Sequence, residues 1–248
     1  MKIITSHELF KDQNHEFFKT AALESLQNVE DIIEDIKKNG NKSIIHYSKT
    51  FNDGDFSSGE DFIVSEEEIK KAYEMTDDKT INALEKCIEN VRDFAQEQLL
   101  CLKNLDMKKN NSLLGHRVIP LERVLCYVPG GNYPLPSSAV MTCTPAKVAG
   151  VREVIITSPR IKPQTIVSAK MSGADKIYKL GGVQAIGAFA YGSESIKPVD
   201  KIVGPGNKYV TYAKKYVYGK CSIDFLAGPS EVLIVADDNQ NPELVSAD

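Results

Sequence analysis

A unit that recurs three times between Arg123 and Lys208 constrains the fold more than any other feature of the chain. A strand-like run, Arg123-Val-Leu-Cys-Tyr-Val128, leads into Pro129-Gly130-Gly131. Lys176-Ile-Tyr-Lys-Leu180 leads into Gly181-Gly182, and Lys201-Ile-Val203 into Gly204-Pro205-Gly206. Each turn is followed by a segment that reads as helix. Glycine at the carboxyl end of a strand lets the backbone bend sharply and approach a ligand closely. In an open α/β sheet, that edge is where ligands bind. The pattern predicts a small-molecule site built on loops.

Strand candidates are Arg117–Ile119, Val124–Val128, Val154–Thr157, Lys176–Leu180, Lys201–Val203 and Val232–Ala236. Helix candidates are Ser138–Ala149, Gln164–Met171, Val183–Tyr191 and Asn207–Tyr218, with Ser137 or Ser138 available as a cap for the first of them. Alternation at these lengths implies βαβ units and a mainly parallel sheet. The preceding residues read as helical. Val29, Ile32, Ile33 and Ile36 fall at helical spacing before an Asn39-Gly40 stop. After a polar loop from Asn52 to Asp61, Ser65 and Glu68 match a capping box for a helix that turns Ile69, Ala72 and Tyr73 inward. Ile81, Leu84, Ile88, Val91 and Phe94 mark an amphipathic helix ending near Leu100, and Lys108 to Ser112 a polar boundary. The expected class is α/β: a helical region over 1–110, an incomplete Rossmann-like domain with a mainly parallel sheet and flanking helices over 111–236, and the start of a second α/β half over 237–248.

A net charge of −4 without a basic run argues against a nucleic-acid partner. No apolar stretch approaches the roughly 20 residues that span a bilayer. The opening Met1-Lys-Ile-Ile-Thr-Ser-His7 lacks the apolar core of a signal peptide, and five scattered cysteines suit a reducing compartment, so a cytoplasmic setting is expected.

The turns carry neither a Gly-x-Gly-x-x-Gly fingerprint nor a Gly-Lys-Ser/Thr loop. What sharpens them is a polar residue beside each: Tyr127 before the first turn, Gln184 after the second and Asn207 after the third. Along one sheet edge these side chains could meet ribose hydroxyls or phosphates. Each also has a purely structural reading, Tyr127 as core and Gln184 and Asn207 as helix-start residues. The histidines His7, His15, His46 and His116 show no metal-ligand spacing. Cys126 and Cys143 lie near the glycine loops as candidate nucleophiles, although a free cysteine is usually a small buried hydrophobe. Asp224 and Glu231 flank Ala227-Gly228-Pro229-Ser230, a further tight loop placed to present the Ser230 hydroxyl.

Tyr127-Val-Pro-Gly-Gly131, Thr144-Pro-Ala146, Gly181-Gly-Val-Gln-Ala-Ile186, Asp200-Lys-Ile-Val-Gly-Pro-Gly-Asn207 and Ala227-Gly-Pro-Ser-Glu-Val-Leu233 together resemble the histidinol dehydrogenase family. The resemblance implies oxidation of L-histidinol to L-histidine through L-histidinal in histidine biosynthesis, with NAD as hydride acceptor, in a zinc-dependent homodimer. It implies NAD-binding roles for Tyr127, Gln184 and Asn207 and a substrate-binding role for Ser230. The family's Gln-x-x-His zinc pair, its remaining ligands and its Glu–His general base would all lie beyond Asp248. No catalytic residue or zinc ligand is therefore expected in this chain, which reads as truncated and inactive alone. Two alternatives stay open: a stand-alone dinucleotide-binding or regulatory module without turnover, and a thiol-dependent aldehyde oxidation through Cys126 or Cys143.

Overall fold

A computed structural model of the protein describes residues 28–130 and 133–226. Five strands form one parallel sheet: β3 (Arg123–Tyr127), β4 (Glu153–Thr157), β5 (Lys176–Tyr178), β6 (Lys201–Val203) and β7 (Ser222–Ile223). The spatial order is β5-β4-β3-β6-β7. The chain enters at β3, winds outward through β4 and β5, then crosses back to add β6 and β7 on the other side. Helices α5 (Pro136–Val148), α6 (Pro163–Met171), α7 (Gly182–Tyr191) and α8 (Lys208–Val217) make the crossovers. This is a doubly wound sheet, and its order reverses between β3 and β6.

Side chains alternate between the faces of a strand, so a sheet covered on both sides reads as continuously apolar. In β3 and its extension, Leu125 and Tyr127 join Ile155, Ile202 and the buried residues of α7 and α8 in one core, while Val124, Cys126 and Val128 join Ile156, Ile177 and those of α5 and α6 in the other. The preceding helices complete both layers. A helix through residues 28–39 (α1) buries Val29, Ile32, Ile33 and Ile36 in the first core. Its side chains lie so close to α7 that a Cβ at Gly187 would stand 3.2 Å from Ile36 Cδ1. After Gly40 (φ 52) breaks α1, α2 (Asn41–Thr50) packs beside it with Ile44 in the same core. On the opposite face α3 (Glu66–Glu74) and α4 (Asp78–Leu100) contribute Ile69, Ala72, Leu84 and Ile88.

The Ser65 capping box is present: Ser65 Oγ accepts the Glu68 N–H at 3.2 Å and Glu68 Oε2 accepts the Ser65 N–H at 2.8 Å. Glu68 also pairs with Lys179 at 2.9 Å, fixing α3 to the β5 edge. That edge is further covered by residues 62–64, whose Val64 N–H donates to the Ile177 carbonyl and whose Phe62 carbonyl accepts the Lys179 N–H.

Four expectations are corrected. Arg117–Ile119 is not a strand. Instead the supposed polar boundary is the tip of a hairpin, β1 (Leu105–Lys109) and β2 (Ser112–His116), joined by Asn110-Asn111 with Asn110 at φ 54. The amide side chain tolerates this left-handed backbone, which the hairpin reversal needs. Helix α5 takes no cap from Ser137 or Ser138; Leu135 occupies that position and Pro136 opens the first turn. Phe94 is 68% exposed, and Ala95 takes the inward position in its place. The strand expected over Val232–Ala236 lies outside the described residues.

Ile33→Ala is expected to lower stability by about 2–5 kcal/mol, because the gap beside Gly187 cannot close. Phe94→Ala should stay within about 0.5 kcal/mol. Urea unfolding midpoints of the two variants check the pair.

Candidate functional site

The turns that end β3, β5 and β6 meet at the carboxyl edge of the sheet, at the point where the strand order reverses. There they form one wall of a cleft of about 570 Å³, onto which Tyr127, Gln184 and Asn207 all open. The other wall comes from α1 and from the loop after α2, through Val29, Phe51 and Asp53. Three residues far apart in sequence are thus brought to one place.

Tyr127 is the last residue of β3, and its ring is 3% exposed. Its hydroxyl accepts the N–H of Gly182, the first residue of α7, at 3.1 Å. Burial pushes the phenol up to about 12, so the group stays protonated at neutral pH and its O–H can donate into the cleft. Gln184 lies in the first turn of α7 with 0% exposure. Its Nε2 donates to Asp53 Oδ2 at 2.8 Å, whereas its Oε1 is buried with no hydrogen-bond partner among the described residues. An unpaired buried acceptor costs about 1–3 kcal/mol. In a cleft, it is an acceptor prepared for a ligand. Gly182 at φ 62 leaves room for it, because a Cβ there would lie 2.6 Å from that oxygen.

Asn207 caps α8: its Oδ1 accepts the N–H groups of Tyr209 and Val210, each at 3.1 Å. Its amide nitrogen remains a donor. The structural readings of Tyr127 and Asn207 are thus both correct, and neither prevents the side chain from facing the cleft.

The third turn is held by a buried ion pair. Lys214, 2% exposed, donates to the Gly204 carbonyl at 2.8 Å and pairs with Asp224, whose other oxygen accepts the Gly204 N–H at 2.7 Å. Gly204, at φ 113, passes so close to β3 that a Cβ would strike the Tyr127 carbonyl.

Sequence reasoning missed Asp53 and Arg160. Asp53 falls in the stretch read simply as polar loop, where Asn52 at φ 55 turns the chain and sends it toward Gln184. Burial raises the Asp53 carboxyl above its ordinary value, against the opposing pull of the Gln184 hydrogen bond and the Arg160 charge. Arg160 lies at φ 45 in the turn after β4 and lines the same cleft.

Other candidates do not converge here. Cys126 and Cys143 are fully buried in the core of the opposite face. The neighbouring Cys126 thiol and burial hold the Cys143 thiol well above its ordinary value, and neither sulfur is reachable from the cleft, so the thiol-dependent alternative is set aside. Neither His46 nor His116 lines the cleft. Ser230, with the loop around it, lies outside the described residues. Among the described residues, no three His, Cys, Asp or Glu side chains converge to hold a metal, so the zinc implied by the resemblance finds no ligand set among them.

The family model described as histidinol dehydrogenase matches residues 18–248. The chain is 48% identical over 230 residues to a histidinol dehydrogenase of Methanocaldococcus jannaschii, covering 91% of this chain and 53% of that protein. It is 42% identical over 256 residues to one from Carboxydothermus hydrogenoformans, covering 100% of this chain and 59% of that protein. Among solved structures, a histidinol dehydrogenase from Elizabethkingia anophelis superposes with a TM-score of 0.79 at 36% identity, over 90% of this chain and 52% of the other. The chain spans about half the length of the curated relatives it matches.

Two outcomes are expected. Asp224→Asn leaves the Lys214 ammonium buried without its counter-charge and should cost about 3–5 kcal/mol in chemical unfolding. Asp53→Asn should raise the melting temperature at neutral pH, because the folded protein no longer holds a half-buried carboxylate. The wild-type carboxyl is raised in the folded state, so its ionisation disfavours folding at pH values above its folded pKa. The gain should shrink as pH falls through that value and vanish below the unfolded carboxylate range. A gain independent of pH would contradict this account.

Proposed function

The chain belongs to the histidinol dehydrogenase family, and we propose that it supplies the NAD-binding part of the oxidation of L-histidinol to L-histidine. The observation that carries this reading is the convergence of Tyr127, Gln184 and Asn207 on one cleft at the carboxyl edge of the sheet. Their chemistry suits a dinucleotide. The first turns of α7 and α8 open onto the cleft, and the positive end of a helix dipole attracts phosphate, with the Tyr209 and Val210 N–H groups already taken by Asn207 and that of Gly182 by Tyr127. The Tyr127 hydroxyl and Asn207 amide can donate to phosphate or ribose oxygens, and the orphan Gln184 oxygen can accept from a ribose hydroxyl.

One NAD, when bound, would accept the hydride that leaves the alcohol carbon, and a second, after exchange, the hydride that leaves the aldehyde hydrate. The residues of this chain bind and orient it, which lowers the entropic cost of bringing the two reactants together. The reading extends to Ser230 as a contact for L-histidinol, to zinc and a general base supplied from outside the described residues, and to a homodimer in the cytoplasm. An open apolar groove lined by Leu99, Leu102, Ile119, Leu121, Met141 and Phe225 supports association. Among the described residues, no helix is long and apolar enough to cross a membrane. The domain division at residues 110 and 236 is kept as a working proposal, with α1 to α4 packed on the sheet they precede.

Calorimetric titration of NAD into the purified chain tests this reading. Saturable binding is expected, weakened about tenfold by Gln184→Ala and by Asn207→Ala, the loss that corresponds to about 1.4 kcal/mol. The same preparation should form no NADH from L-histidinol. Absence of NAD binding, or turnover by this polypeptide alone, would overturn the assignment.

A further inference from the structure

In a doubly wound sheet that binds a dinucleotide, the pyrophosphate meets the first βα turn, and an acidic residue at the end of the second strand commonly takes the adenosine ribose. Here the first βα turn follows β3 and the second strand is β4. Beyond β4, where that acid would stand, the chain reads Ser158-Pro159-Arg160. The position is basic. A lone arginine there would favour a dinucleotide carrying a phosphate on this ribose.

A carboxylate nevertheless lies in the cleft. Asp53 reaches it from the loop after α2, outside the sheet, and lies close enough to Arg160 to feel its charge. It is also fixed in orientation: one oxygen accepts Gln184 Nε2–H at 2.8 Å, which turns the unpartnered Gln184 Oε1 away from Asp53. Gln184 itself is fully buried, so its amide cannot turn to solvent for a partner. The Asp53 carboxylate offers two acceptor oxygens, which suit the vicinal hydroxyls of an unmodified ribose, and its charge repels a ribose phosphate.

Resting on the dinucleotide reading of the cleft, we propose that Asp53 is the residue that selects NAD over NADP. Its hydrogen bond from Gln184 holds the carboxylate in place at the cleft, and its charge offsets Arg160 and excludes a 2′-phosphate. The acid that such folds take from the end of the second strand is supplied instead by the loop that precedes the sheet. Removing the charge while keeping an acceptor should therefore uncover Arg160 as a phosphate receptor.

The test is the affinity of the 248-residue chain for NAD and for NADP, measured by equilibrium dialysis for wild type, Asp53→Asn, Asp53→Ser and the double variant Asp53→Asn with Arg160→Ala. Wild type should prefer NAD. Asp53→Asn should shift the NAD-to-NADP ratio toward NADP by at least about tenfold, since like charges placed together cost several kcal/mol. The double variant should lose the gained NADP affinity, and Asp53→Ser should shift the ratio in the same direction as Asp53→Asn. A merely structural Asp53 would change both affinities equally. NAD binding with the same ratio in wild type and both single variants overturns the role of Asp53 and leaves the cleft assignment standing. Wild type that binds neither dinucleotide overturns both.

Discussion

Tyr127 joins the three turns on which the cleft depends. Its hydroxyl accepts the first N–H of α7, while its backbone carbonyl lies against Gly204 so closely that no side chain fits between them. The residue is the last of the central strand, paired with Thr157 of β4 on one side and placed just beyond the β6 ladder on the other, where Gly204 closes against it. Parallel strands buried on both faces leave little freedom of register, since a one-residue slip would exchange the side chains of two packed cores. A ring held in that way cannot move without disturbing α7 and the β6 turn together. The site gains its rigidity from the core.

Around this fixed point the protein keeps polar groups in costly positions. The Gln184 oxygen is buried without a hydrogen-bond partner among the described residues, Asp53 carries a carboxyl raised by burial, and Lys214 lies almost fully buried against Asp224 and Gly204. The lysine is compensated within the structure. The other two are incompletely satisfied, and both open onto the same cleft. Buried polar groups normally find partners. Two such groups together in a concave site that also holds two helix starts are best explained by a ligand that completes them.

Strands β3 to β6 were legible in the sequence because each is short and mostly apolar, three of them run into glycine turns, and each following helix begins within a few residues; β7, two residues long, carried no such signal. The helical preface was legible too, from the spacing of Val29 to Ile36 and from the Ser65 capping box. The hairpin was harder to see because both of its strands are solvent-exposed, so no apolar face announces them. Leu105 and Met107 do alternate with Asp106 and Lys108, and Asn110-Asn111 is a turn signal that was available. Phe94 misled because helical spacing places it near the buried stripe without saying where that stripe ends. Tyr127, Gln184 and Asn207 could be picked out because they adjoin the turns. Asp53 could not, since its importance arises from a contact with a residue 131 positions away.

NAD should bind in the cleft at the carboxyl edge of the sheet. Mapping backbone amide NMR shifts during an NAD titration tests it most directly. The account predicts that the changes centre on Gly130, Gly182, Gln184 and Lys208, with little effect at the opposite edge around Asp200 and Lys220. Shifts concentrated at Asp200 and Lys220, or scattered without relation to the three glycine turns, would contradict it.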